Sequence, residues 1–201
     1  MRLFVAVSGV FLLLAPFSAH AEDVGIVSGE YGEMLIGFDP ATRIISGYFY
    51  DTTGRGQFTC AFYLKGKLRS PSTPIATYYP ATPADDLITG ELVQETARKF
   101  RVTLPSEHGG CWNVWHFADD SQPASFTLGV AHPWLSVAVV KRDKVYFFDS
   151  PASANHRKAY VVQGNGVGVR ATEQGWLLVD YIGEHGLFSG WIRQSDVYPA
   201  G

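Results

Sequence analysis

The chain of 201 residues is poor in cysteine and carries no run of positive charge or late apolar stretch, and each shortage removes a class of function. Sixteen Lys and Arg stand against nineteen Asp and Glu, for a net charge of −3. No basic run occurs anywhere, so neither nucleic acid nor an anionic membrane surface is the expected partner. Beyond the first residues no segment approaches the roughly 18 apolar residues of a membrane-spanning helix. The signatures of common enzymes are also missing. There is no G-x-S-x-G, no H-E-x-x-H, no P-loop and no dinucleotide fingerprint. The expectation is a non-catalytic protein without cofactor or metal.

What is present begins with an address. Arg2 supplies a positive start, residues 3–17 are apolar apart from Ser8, Gly9 and Pro16, and Ala19-His20-Ala21 places small residues where a signal peptidase reads. Glu22-Asp23 then opens a polar chain. This order is that of a cleavable signal peptide, residues 1–21, cut after Ala21. It predicts a periplasmic or secreted protein with no membrane insertion. No cysteine stands at the cleavage point, so no lipid anchor is expected there.

Twenty-one glycines, 11 prolines and an aromatic content of 14% favour many turns and short strands over long helices. Residues 32–38 and 43–50 form an expected hairpin about Asp39-Pro40-Ala41-Thr42, with proline at the turn's second position. Residues 57–65 alternate. Phe58, Cys60, Phe62 and Leu64 share one face; Gln57, Thr59, Tyr63 and Lys65 share mostly the other, the pattern of a half-buried antiparallel strand. Lys65-Gly66-Lys67 is the expected turn after it. The stretch 70–84 is a loop with one edge strand, because Pro74 and Pro80 cannot donate to a ladder. Residues 87–93 and 99–104 are strands, and the link 94–98 is the one place for a helical turn. Further strands follow over 125–130, 134–140 and 144–148. The polar segment 151–156 marks a domain join. The first domain is thus an N-terminal antiparallel β-barrel or sandwich over 22–153.

The last part of the chain has its own character. Val162, Gly164, Val167 and Val169 suit an opening strand and turn. Gly175-Trp176 through Tyr181 suits a central strand, and Gly190-Trp191-Ile192 with Ser195-Asp196 a closing strand and turn. On these residues the stretch 156–201 resembles a bacterial SH3 (SH3b) domain. The resemblance covers the final fifth of the chain. It implies a small C-terminal SH3-like β-barrel, often met in cell-envelope binding proteins. Trp176 and Trp191 are then expected in the core.

Cys60 and Cys111 are the only cysteines, and in an oxidising compartment an even, minimal count points first to a disulfide. The competing readings, a nucleophilic thiolate or a zinc site from His108, Cys111 and His116, both need Cys111 unpaired. Adjacent Glu107 and His108 would face opposite ways on a strand, so an acid–base pair is not favoured there. Candidate binding residues are Tyr181, Glu184, His185 and Tyr198, as the rim of a groove in the C-terminal module, with Glu107 and His108 in the loop before Cys111. The expected function is binding of peptidoglycan or an envelope protein. The alternative is a periplasmic inhibitor or immunity protein whose 107–110 loop enters the cleft of a wall-targeting enzyme or toxin. A hydrolase using His108, His116 or Asp119 is the third reading.

Overall fold

A computed structural model describes residues 25–69, 71–82, 85–119 and 121–198, so the signal-peptide segment lies outside the described residues. The architecture is all-β, in two antiparallel sheets. The first holds β1 (Gly29–Tyr31), β2 (Met34–Asp39), β3 (Ile44–Thr53), β4 (Phe58–Lys67), β5 (Ser72–Tyr78), β6 (Ile88–Thr96), β7 (Lys99–Thr103), β8 (Ala124–Thr127) and β9 (Val130–Ala131). Its order is β8-β7-β6-β5-β4-β3-β2-β1-β9. Strands β8 and β9 sit at opposite edges, yet only Leu128 and Gly129 separate them in the chain. The sheet therefore curls back on itself, held there by Gly129 N–H donating to Glu30 O at 2.8 Å.

The interior of this curl is aromatic. Phe49, Phe62, Phe100 and Phe117 are fully buried, and Phe49 packs edge-on against Phe117 with ring centres 5.0 Å apart. The hairpin of β2 and β3 forms about Asp39 as expected. Asp39 Oδ1 accepts from Ala41 N–H at 2.9 Å and Oδ2 from the Thr42 hydroxyl at 2.7 Å, tying the turn to its own first residue. In β4 the alternation places Cys60, Phe62 and Leu64 in the core. Phe58 is 42% exposed, because it lies where the strand leaves the curl.

Three local expectations are corrected. Residues 65–67 are not a turn but the end of β4, where Lys67 pairs with Ile44. The link 94–98 is no helical turn; it is the end of β6 and the tight connection to β7, with Thr96 opposite Lys99. Strand β5 is internal rather than at an edge, paired with both β4 and β6. Pro74 is tolerated there because the ladder with β4 stops at Ile75.

The second sheet contains β10 (Ser136–Val139), β11 (Val145–Phe148), β12 (His156–Val161), β13 (Gly166–Glu173), β14 (Trp176–Gly183) and β15 (Gly186–Arg193), in the order β10-β13-β14-β15-β11-β12. The segment 151–156, expected as a domain join, falls in and beside the hairpin between β11 and β12, where Val145 pairs with Val161. The sheet therefore begins at Ser136. Its first two strands find their partners only later in the chain, β10 with β13 and β11 with β12 and β15. Its core is mostly aliphatic, with Val140, Val145, Val161, Val167, Val169, Val179 and Ile192 around Phe147.

The two sheets share a third core. Tyr48, Tyr63 and Tyr78 stand side by side on β3, β4 and β5, on the face opposite the aromatic interior, and Val137 and Val139 of β10 pack on them. Val137 is anchored at both polar groups: its N–H donates to Ser46 Oγ at 2.9 Å, and its carbonyl accepts from the Tyr63 hydroxyl at 2.9 Å. Gly37 is required at this junction, since a Cβ there would lie 2.4 Å from the backbone of Ser136. The outer edge of β10 is thus closed by side chains of the first sheet.

Candidate functional site

Where the sheets diverge from the shared tyrosine layer they leave a cleft of about 480 Å³. Glu30 of β1, Glu33 of the turn after it, Leu35 of β2, and Tyr48 and Tyr50 of β3 form one wall. The other is Val162, Gln163 and Asn165 from the β12–β13 loop, with Tyr181 and Ile182 of β14. Tyr48 and Tyr50 are two residues apart on one strand, so they share a face, and their rings stack with centres 6.4 Å apart. Gly166 lets the loop approach, because a Cβ there would meet the Tyr48 ring at 2.7 Å.

The cleft is acidic. Glu30 and Glu33 are its charged residues, and no Lys, Arg or His is among its lining side chains. Glu30 is partly engaged, with Oε1 at 2.7 Å from His132 Nε2. His132 stacks on Trp134 at 4.3 Å, and the Trp134 indole N–H donates to Asp180 Oδ2 at 2.9 Å. Asp180 Oδ1 accepts from the Ser189 hydroxyl at 2.6 Å and lies 3.7 Å from Arg170. This chain of contacts runs behind the cleft and joins β1 to β14 and β15. Tyr48 is only 6% exposed. Burial pushes this phenol well above the usual tyrosine range, so the hydroxyl stays protonated.

Of the residues singled out in the sequence, the structure brings Tyr181 to the cleft. Glu184 and His185 are exposed at the tip of the β14–β15 hairpin, outside its lining. Tyr198 packs at the far junction against the tyrosine layer, with its N–H donating to Val139 O at 2.9 Å. Glu107 does not project either; its Oε1 accepts from Ala118 N–H at 2.8 Å.

His108 is corrected from surface ligand to buried pin. It is 1% exposed, stacked on Phe62, with Nδ1 at 2.7 Å from Asp86 Oδ2 and Nε2 at 2.8 Å from Thr77 Oγ1. The cause is the Cys60–Cys111 disulfide, which draws the loop before Cys111 onto β4. The Asp86, His108 and Thr77 array has the order of a nucleophilic triad, but Thr77 is fully buried. A zinc site using Cys111 is ruled out by the same disulfide, and no group of three metal-ligating side chains occurs among the described residues. His116 packs edge-on against Trp112, and Asp119 accepts from Ser121.

Trp176 and Trp191, expected in the core, are half-buried on the outer face of the second sheet, beside buried Leu177 and Ile192, which point the other way. There Phe148, Trp176 and the Tyr146–His156 stack form a row, and the chain supplies its own cations to it. Lys144 Nζ lies 4.0 Å from the Tyr160 ring centre, and Arg193 covers Trp176 at 4.7 Å.

Sequence reasoning missed Glu30, Glu33, Tyr48, Tyr50 and Asn165. One signal was available. The stretch 44–50 is apolar or aromatic on both faces apart from Ser46, which a strand with one wet face would not be. Comparison of the chain with family models, with curated proteins and with solved structures finds no match.

Proposed function

We propose that the protein is a non-catalytic, exported binding protein of the cell envelope, whose partner is peptidoglycan or an envelope protein, with residues 156–201 acting as part of an SH3b-like module. The observation that carries this is the cleft at the junction of the sheets. It is concave, lined by three tyrosines and by amides and carboxylates, and contains no nucleophile aligned with a base. Phenol rings with a polar tip suit a ligand that is part apolar and part hydrogen-bonding. The Cys60–Cys111 disulfide supports an oxidising compartment.

The test is sedimentation of residues 22–201 with insoluble peptidoglycan, at two salt concentrations, beside Tyr50→Ala and Tyr181→Ala. Binding that both substitutions weaken supports wall recognition through the cleft. Absence of the protein from the pellet under both conditions would remove peptidoglycan as the partner.

A second reading has its own observation. Trp112 is 67% exposed, on a short 3₁₀ turn that begins at the disulfide residue Cys111. A rigidly held, protruding tryptophan is the anchor an inhibitor or immunity protein would place in a target enzyme. A stoichiometric protein partner that Trp112→Ala releases, with the cleft variants still bound, would establish this reading instead.

A further inference from the structure

We infer that the cleft binds a peptide-borne alkylammonium group, with its methylene stem against Leu35, Val162 and Ile182 and its charge between the Tyr48 and Tyr50 rings and Glu33. This rests on the reading of the cleft as the binding site and narrows it to a ligand class. The composition and geometry of the lining lead to it.

The charged residues of the lining are both acidic, so a carboxylate or phosphate entering the cleft meets repulsion. Glu30 is engaged by His132, whereas Glu33 has no ion-pair partner among the described residues and stands at the mouth as a counter-ion. Tyr48 and Tyr50 present adjacent rings, and an ammonium within about 6 Å of such a ring is held by its quadrupole. The Tyr48 side chain is mostly buried beneath the cleft floor, and its hydroxyl oxygen can accept an N–H from a ligand. The apolar lining residues suit the stem that such a group carries.

The outer face of the second sheet gives an internal comparison. Where Tyr146, Tyr160 and Trp176 line a surface, Lys144 and Arg193 of the chain itself lie over the rings. The same ring chemistry in the cleft, with carboxylates added, has no cation of the chain among its lining residues. A ligand would supply it.

The experiment is an NMR titration of ¹⁵N-labelled residues 22–201 with four probes: Nα-acetyl-lysine methylamide, its norleucine analogue lacking the ammonium, Nα-acetyl-glutamate methylamide, and chitotriose. The lysine probe is expected to shift the amides of Glu33, Gly164 and Asn165. It should bind about tenfold more tightly than the norleucine probe, and Glu33→Gln should remove most of that difference. The glutamate probe should not bind. Tyr50→Leu, which leaves the charges in place, should weaken the lysine probe severalfold. Equal binding of the lysine and norleucine probes overturns the inference, as does indifference to Glu33→Gln. If chitotriose alone shifts the cleft amides, the cleft stands as the binding site and the ammonium assignment falls. If no probe shifts them while the protein still sediments with peptidoglycan in a Tyr50→Ala background, both the inference and the cleft as the binding site are overturned.

Discussion

In the first sheet the rings of Phe49, Phe62, Phe117 and Phe126 point inward and touch one another, the edges are drawn together, and a disulfide ties the strand β4 to the loop that covers it. In the second the core is mostly valine, while Tyr146, Tyr160 and Trp176 stand outside under lysine and arginine. The second sheet also keeps an edge strand, β10, whose polar groups are met by Ser46 and Tyr63 of the first. The difference teaches a dependence. The first sheet carries its own closure and its own staple; the second completes its edge by leaning on the tyrosine layer, and the cleft opens where that contact ends.

The largest test of this contrast is the staple. Replacing Cys60 and Cys111 together with alanine opens a loop of sequence separation 51. On the chain-entropy account this costs about 4 kcal/mol. Urea unfolding of this variant beside the oxidised parent should show a loss of that order. The amides around His108 should lose protection first, because the loop is then held only by hydrogen bonds and ring packing. A loss under about 1 kcal/mol would mean that the aromatic packing, rather than the disulfide, holds the loop.

A smaller effect is expected at the join. Tyr63→Phe keeps the ring but leaves the buried Val137 carbonyl without its donor, at a cost of about 1–3 kcal/mol. Hydrogen exchange should speed up along β10 and β13 while the interior of the first sheet is unchanged. Uniform acceleration across both sheets would break the comparison, since it would make the two a single cooperative unit through other contacts.

The smallest is a pH effect in the β2–β3 turn. The Thr42 hydroxyl and then the Ala41 N–H hold the Asp39 carboxyl below the usual aspartate range. A depressed folded-state value stabilises the protein above the ordinary aspartate range and is lost as pH falls through the folded value. Asp39→Asn should therefore lower the melting temperature slightly at neutral pH, with the gap to the parent closing in acid. A constant gap across pH would show that the turn needs the side chain's shape rather than its charge.

Much of the first sheet was legible because its contacts are local. The hairpin about Asp39-Pro40 follows from turn chemistry, and the inward set Cys60, Phe62 and Leu64 follows from a two-residue period. The disulfide was legible from cysteine count. Less could be read where pairing is distant. The stretch 136–148 looks like a continuation of the first sheet, since nothing local reveals that β10 waits for β13. Among the candidate site residues, Tyr181 sits in a stretch of recognisable pattern and lines the cleft. His108 was misplaced because its burial depends on a disulfide loop closing over β4.

The amino-acid sequence by itself determined the all-β class, the turn at Asp39–Thr42 and the pairing of its two cysteines, because each depends on residues a few positions apart or on a count. Only the tertiary structure decided that Tyr48 and Tyr50 face a second sheet and that Glu30 and Glu33 meet Asn165 and Tyr181 across a cleft. Those groups come from segments more than a hundred residues apart in sequence, from residues 30–50 and 162–182. Strand periodicity says which face a side chain takes, but what covers that face is set by packing between sheets.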